Sequence, residues 1–128
     1  MSVDIWQRKM SNPESHIQAA VWSTIGHLPG IRLWRNNVGT AATKDGRFIK
    51  FGLCPGSSDL IGWTEYVIAP EDVGCRVAVF TALEIKTATG RATDQQKAFI
   101  NAVRNSGGIA GVVRNPQQAL NLISEYQP

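Results

Sequence analysis

The apolar positions of the chain repeat with two different periods. In residues 13–28 they recur every three or four positions, which predicts an α-helix with one face on the core. In residues 31–36 and 47–51 they alternate with polar positions, as in half-exposed strands. Asp45-Gly46 is a turn signal just before the second of these stretches. We therefore predict an antiparallel excursion in this region, with a loop over residues 37–44.

The second half of the chain predicts further strands and two capped helices. Residues 77–86 are the longest apolar run, rich in β-branched side chains, and indicate a central strand covered on both faces. Shorter strands are expected at residues 59–63 and 109–114. Residues 93–96 read as a capping box, and Asn115-Pro116 as a second helix start. This alternation predicts an α/β fold in which helices flank a small mixed sheet.

Two polar residues, Glu14 and Gln96, begin the apolar stripes of the two longer helices. Glu14 precedes Ile17 by three positions, and Gln96 precedes Phe99 by three, so the helical period places both on the inward face. Glu14 could instead only complete a capping box with Ser11 and complement the helix dipole. Spacing alone leaves these two roles open.

Length and composition indicate one ordinary globular domain. The chain has 128 residues, of which 43% are hydrophobic, and we predict a single domain over residues 1–128 with residues 1–12 as an arm or short helix. The net charge of +3 is compatible with a polyanionic partner without requiring one. Cys54 and Cys75 suggest reduced thiols, and no leader or bilayer-length apolar run is visible, so we expect a cytoplasmic protein without membrane contact.

Charged residues at the ends of two predicted strands suggest a metal site. Glu84 and Lys86 lie two apart in a strand and therefore point from the same face, while Ile85 points from the other. Asp59 follows a Pro-Gly turn and can place a second carboxylate beside them. Two carboxylates, a backbone carbonyl and waters suit Mg²⁺, which would lower the pKa of a bound water for phosphodiester hydrolysis. Lys86 would position that water or offset charge on the phosphorane.

Each of these residues alone has an ordinary explanation. Asp59 alone fits a turn cap, and Glu84 with Lys86 alone fits a same-face ion pair of little energetic value. Single basic residues on a half-exposed sheet are usually solvated. The combination favours a site, and no phosphate loop, HExxH or GxSxG motif offers another. The residues that could line a phosphate path are Arg32, Arg35, Lys44, Arg47 and Lys50.

Taken together, these motifs resemble the VRR-NUC (virus-type replication-repair nuclease) group of the PD-(D/E)xK superfamily, in its stand-alone phage or bacterial type. The resemblance implies a restriction-endonuclease-like αβββαβ core. Ser58 stands where many members have proline before the aspartate. The matching segments are Glu14, Arg35 to Gly39, Pro55 to Leu60, Glu84 to Lys86, Gln96 and Gly107 to Gly111.

The resemblance also implies roles for individual residues. Asp59 and Glu84 are expected as catalytic residues and metal ligands, with the Ile85 carbonyl and Glu14 completing the set around Mg²⁺ or Mn²⁺. Lys86 is expected as the catalytic lysine, and Gln96 as a supporting residue of the same site. The expected DNA contacts are Arg35, Asn37, Arg47, Lys50, Ser57 and Arg91.

The function that follows from the resemblance is a metal-dependent endonuclease. We expect it to act as a homodimer on structured DNA, such as a Holliday-junction-like or flap substrate, in replication, repair or recombination. Two alternatives stay open at this point. One is a restriction-type nuclease that reads sequence in duplex DNA, and the other is a nucleic-acid-binding module that has kept the fold without turnover.

Overall fold

The computed structural model of the chain describes residues 13–128, so the predicted arm and the Ser11 cap lie outside the described residues. The chain divides between Thr64 and Glu65 into two compact units. The first contains α1 (Pro13–Ile25), β1 (Ile31–Arg35), β2 (Gly39–Ala42), β3 (Phe48–Phe51) and β4 (Leu60–Thr64). The second contains a 3₁₀ turn (Pro70–Asp72), β5 (Thr81–Ile85), α2 (Asp94–Asn105), β6 (Ile109–Val113) and α3 (Pro116–Ser124).

The mixed α/β class is confirmed, and over residues 13–128 the strands pair two by two. β1 pairs antiparallel with β4, β2 antiparallel with β3, and β5 parallel with β6. The single-domain expectation stays a prediction. Within the described part of the chain, no helix is long and apolar enough to cross a bilayer.

The β2–β3 hairpin corrects the loop predicted over residues 37–44. Four of those residues form β2, with Thr40 opposite Lys50 and Ala42 opposite Phe48. The turn between the strands contains Asp45 and Gly46, as the sequence predicts, and Gly46 adopts a φ of 82°. β2 was missed because Gly-Thr-Ala-Ala carries no large apolar side chain, so backbone pairing alone defines the strand.

Helix α1 ends at Ile25, three residues before the predicted end, and its apolar stripe is exposed. Ile17 is 63% exposed and Ile25 is 38% exposed, so the prediction that this stripe packs on the core was wrong. The helix is tied to β1 through a neighbouring face instead. The indole Nε1 of Trp22 donates to the Leu33 carbonyl at 3.0 Å, and the Leu33 amide donates to the Gly26 carbonyl at 3.2 Å.

The second unit contains the buried hydrophobic core of the described chain. The strands β5 and β6 run parallel in register from Thr81 opposite Ile109 to Ile85 opposite Val113, and α2 connects them. A Cβ at Gly111 would come within 3.0 Å of a methyl group of Leu122, so glycine there lets α3 pack close to β6. The buried core side chains are Ile100, Val103, Ile109, Ala110 and Val113.

The predicted strand over residues 77–86 is shorter and less buried than expected. Only Thr81–Ile85 are paired, and they alternate between exposed and half-buried. Val77 is 62% exposed and Ile85 is 68% exposed, so the prediction of a strand covered on both faces was wrong. The pairing begins where the Ile109 amide donates to the Phe80 carbonyl, which leaves the earlier apolar residues without ladder partners on β6.

Candidate active site

Glu84 and Lys86 lie together at the end of β5, as the two-residue period predicts. The Lys86 ammonium Nζ is 3.5 Å from Glu84 Oε1, and the side chains are 20% and 30% exposed, respectively. Ile85 between them is exposed on the other face. The pair is therefore partly shielded from water, where charges interact more strongly than on an open surface. A carboxylate and an ammonium held side by side can serve both metal binding and phosphate chemistry.

The backbone after Glu84 is fixed by β6 and by Arg114. The Lys86 amide donates to the Val113 carbonyl at 3.1 Å, which extends the parallel ladder by one residue. The Arg114 guanidinium Nη1 then donates to the carbonyl of Thr87 and, at 2.8 Å, to that of Gly90. Arg114 thus closes the loop that follows Lys86, a role that the sequence did not reveal.

Asp59 lies in the first unit, immediately before β4, and is exposed. The backbone carbonyl of Asp59 accepts a hydrogen bond from the backbone N–H of Asn36 at 2.8 Å, which continues the β1–β4 ladder beyond the last paired residues. The main chain of Asp59 is thereby fixed while its carboxylate stays open to solvent. A metal-binding role for this carboxylate stays a prediction.

The side chain of Asn36 holds the turn that leads to Asp59. Its Nδ2 donates to Ser57 Oγ at 2.8 Å and to the Ser58 carbonyl at 2.9 Å, and its Oδ1 accepts from the Leu53 amide at 3.0 Å. Ser57 Oγ in turn donates to the Cys54 carbonyl at 2.7 Å. One amide side chain therefore connects both ends of the turn before Asp59.

Sequence reasoning assigned no role to Asn36 and expected Ser57 to contact DNA. The only available signal for Asn36 was an amide residue at the end of a predicted strand, which is too common to be informative. The Ser57 hydroxyl is engaged within the turn, and this arrangement supports a structural role. A DNA contact by Ser57 stays a prediction.

The two helix residues expected to complete the site differ in their surroundings. Glu14, in the first turn of α1, is exposed, so the predicted orientation along a buried face was wrong. Gln96 is half-buried, and it forms the predicted capping box with Thr93. The backbone N–H of Thr93 donates to Gln96 Oε1 at 2.8 Å, and the backbone N–H of Gln96 donates to Thr93 Oγ1 at 3.1 Å. The Nε2 end of Gln96 is therefore the part of the side chain left for a site.

The residues expected to bind DNA lie at exposed positions, apart from Ser57. Arg35 ends β1, Asn37 follows Asn36, and Arg91 precedes the Thr93 cap. In the hairpin, Arg47 Nε lies 3.4 Å from Asp45 Oδ2, and Lys50 is exposed on β3. Exposure makes all five side chains accessible to a polyanion, and their contact with DNA stays a prediction.

Trp22, Trp34 and Arg35 border a pocket of about 820 Å³ in the first unit. The Trp34 and Trp63 rings meet edge-on with centroids 5.2 Å apart, which fixes the position of Trp34. The described lining does not include Asp59, so this pocket is not the predicted metal site. The lining residues are Ser15, Gln18, Ala19, Trp22, Trp34 and Arg35.

The donor chemistry of the predicted ligands fits a hard divalent cation. Mg²⁺ prefers oxygen ligands, retains several waters and takes one or two protein carboxylates, which Asp59 and Glu84 could supply with the Ile85 carbonyl. The two carboxylates belong to different units, Asp59 to the first and Glu84 to the second. No group of three or more His, Cys, Asp or Glu side chains in residues 13–128 is arranged to hold a metal. A metal site of two carboxylates stays a prediction.

Comparison with known proteins identifies the family. No curated protein and no solved structure matches the chain significantly. The family model described as VRR-NUC domain matches residues 12–116, which include Asp59, Glu84 and Lys86. The recognition made from the motifs is thus confirmed. Because the match spans most of the 128 residues, the chain belongs to the VRR-NUC family, a family of nuclease domains that act on DNA.

Proposed function

We propose that the protein is a Mg²⁺- or Mn²⁺-dependent endonuclease that hydrolyses phosphodiester bonds in structured DNA. The observation that carries this proposal is the partly shielded pair of Lys86 Nζ and Glu84 Oε1, 3.5 Å apart at the end of β5, in a chain of a nuclease family. A partly exposed ion pair of this kind contributes little to stability by itself. A nuclease site would use both groups, the carboxylate for metal binding and the ammonium for phosphate chemistry, which is the support that this pair gives to the proposal.

Asp59, Glu84 and the Ile85 carbonyl would hold the cation. When bound, Mg²⁺ polarises a phosphoryl oxygen and lowers the pKa of a bound water. Lys86 would donate a hydrogen bond to the attacking water, which orients it, or to a non-bridging phosphate oxygen. In the second case its positive charge offsets the negative charge that develops on the phosphorane. Gln96 would support the site through its Nε2 amide, since Oε1 accepts from the helix cap.

The DNA-binding surface would be formed by the exposed cations and amides already described. Lys50 and Arg47 project from the hairpin, and Arg35 and Arg91 lie at the ends of other elements. Phosphate contacts of this kind give binding that depends on salt and little on sequence. Contacts of this kind alone would not read base sequence.

A homodimer would allow two such sites to act on one branched substrate. Two-fold symmetric assembly is the most common oligomeric arrangement of small proteins, and it would double the basic surface available to DNA. Two copies of the site would also cut two strands of a junction. We therefore propose a role in replication, repair or recombination in the cytoplasm of a bacterial or phage-infected cell.

The proposal is tested by incubating labelled four-way junction, flap and plain duplex DNA with the protein in Mg²⁺, Mn²⁺ or EDTA. We expect metal-dependent cleavage of a branched substrate, and losses of about 100-fold or more in Asp59→Asn, Glu84→Gln and Lys86→Met. The matched controls are Glu71→Gln and Lys97→Met, which change exposed residues elsewhere in the second unit.

Three results would contradict the proposal in different ways. Binding without cleavage of any substrate by the wild-type protein would identify a nucleic-acid-binding module. Cleavage of plain duplex at a defined sequence would identify a restriction-type nuclease. Equal cleavage by Lys86→Met and wild type would show that the activity does not depend on the proposed site.

A further inference from the structure

The β2–β3 hairpin exposes large apolar side chains. Phe48 is 76% exposed, Ile49 is 54% exposed and Phe51 is 43% exposed, and Leu53 just beyond the strand is 65% exposed. Every residue of β3 is exposed. An isolated two-stranded hairpin is marginally stable in water, and a hairpin that exposes several large apolar side chains is a candidate binding surface.

The register of the hairpin explains why these side chains are uncovered. Phe48 lies opposite Ala42 and Lys50 lies opposite Thr40, so each large side chain of this face meets a small neighbour on β2. On the other face Phe51 lies against Gly39, where a Cβ would come within 2.6 Å of the Phe51 ring. Phe51 is thus partly packed on its own hairpin, whereas Phe48 projects into solvent.

Charge distinguishes between the two kinds of partner, a protein or a nucleic acid, that could cover the face of the hairpin that carries Phe48. Lys44, Arg47 and Lys50 contribute three positive charges to the hairpin, and Asp45 contributes one negative charge that already pairs with Arg47. Lys50 projects from the same face as Phe48, two residues away. The centres of protein interfaces are depleted in lysine. Aromatic side chains next to cations are typical of surfaces that bind unpaired nucleic acid, where the ring stacks on a base and the cation meets a phosphate.

We propose that Phe48 stacks on an unpaired or unstacked base of the DNA, and that Lys50 contacts the phosphate beside it. The inference rests on the proposed function for the identity of the nucleic acid, and it narrows the substrate class to DNA with an exposed base, such as a flap or a branch point. An aromatic residue that inserts at a base step partly unstacks the bases there, and this costs least where a base is already unpaired.

The test compares binding of wild type, Phe48→Ala and Lys50→Met to a flap and to a matched duplex in EDTA, measured by fluorescence anisotropy. A 2-aminopurine at the first unpaired position reports stacking directly. We expect Phe48→Ala to weaken flap binding about tenfold and to abolish the change in 2-aminopurine fluorescence, because one stacked base contributes on this scale. Duplex binding should stay within about twofold, because paired bases offer no face for stacking.

Lys50→Met should weaken flap and duplex binding alike and lower the salt dependence by about one ion, as for a phosphate contact. Val67→Ala is the matched control, since Val67 is an even more exposed apolar residue, 88% exposed, in the second unit. Phe48→Ala removes an exposed side chain and should leave the melting temperature unchanged, so loss of binding is not loss of folding.

Two outcomes would overturn the inference. Phe48→Ala could bind the flap as tightly as wild type, with an unchanged 2-aminopurine signal. Alternatively, Phe48→Ala could convert a dimer into a monomer in sedimentation velocity, which would make the hairpin a protein interface. The proposed function fails separately: a wild-type protein that cleaves nothing but binds the flap through Phe48 would refute catalysis and retain the stacking site.

Discussion

Asn36 provides the sharpest test of how the fold positions Asp59. Its side chain donates to Ser57 Oγ and to the Ser58 carbonyl and accepts from the Leu53 amide, so Asn36→Ala removes three hydrogen bonds at once. The backbone hydrogen bond from the Asn36 amide to the Asp59 carbonyl stays in place. The substitution therefore frees the turn while leaving its attachment to β1 intact.

The size of the effect follows from the exposure of the three bonds. A protein hydrogen bond contributes about 1 kcal/mol net. The bond to Ser57 is partly buried, and those to Ser58 and Leu53 are exposed, so water replaces them in part. We expect a total loss of about 2 kcal/mol in the free energy of unfolding, which a domain of ordinary stability survives.

The assay combines urea denaturation with cleavage kinetics. Asn36→Ala should lower the urea midpoint and reduce kcat about tenfold or more, with KM changed little, because a mobile Asp59 affects the reacting groups more than DNA binding. Raising the Mn²⁺ concentration should restore part of the lost kcat if the defect lies in metal binding. Asn101→Ala, which alters an exposed asparagine of α2, is the matched control and should match wild type in both measurements.

Either of two results would refute this reasoning. An unchanged urea midpoint in Asn36→Ala would mean that the three hydrogen bonds contribute nothing to the folded protein. A lowered midpoint with an unchanged kcat would mean that the turn supports folding and does not position Asp59.

Three further predictions concern other parts of the chain. Val103→Ala should lower the free energy of unfolding by about 2 kcal/mol in urea denaturation, because Val103 is 1% exposed in the core of the second unit. The Thr43 hydroxyl donates a hydrogen bond to the Asp45 carboxylate and lowers the pKa of Asp45. Thr43→Val should therefore raise the pKa of Asp45 in an NMR titration. It should also remove the stabilisation that the wild-type protein loses as the pH falls through the pKa of folded Asp45. Arg114→Met should speed amide hydrogen exchange in residues 87–90, because it removes both bonds to that loop.

Features that depend on neighbours in sequence could be predicted well. The capping box of Thr93 and Gln96 and the Asn115 cap are both present, because a cap is formed by residues within one helical turn. Glu84 and Lys86 share a face for a similar reason, since the two-residue period of a strand fixes their directions.

Features that depend on distant residues could not be predicted. The Asn36 side chain bonds to Ser57, which is 21 positions away. The face of α1 that meets β1 is set by the hydrogen bond from Trp22 to Leu33, and the more apolar stripe stays exposed. Apolar periodicity shows that a helix has a preferred face, but it does not show which neighbour covers it.

The hydrogen bond from the Lys86 amide to the Val113 carbonyl has a consequence for the order in which the protein forms during synthesis. Lys86 emerges from the ribosome before the residues of α2 and β6 emerge, so its strand has no partner outside the ribosome at that stage. The parallel pairing of β5 with β6 closes only when Val113 has also emerged. In a nascent chain of this length, Lys86 is therefore not yet held in its final position by β6. Stalling translation before Val113 should yield a chain in which the Glu84–Lys86 site is not yet assembled.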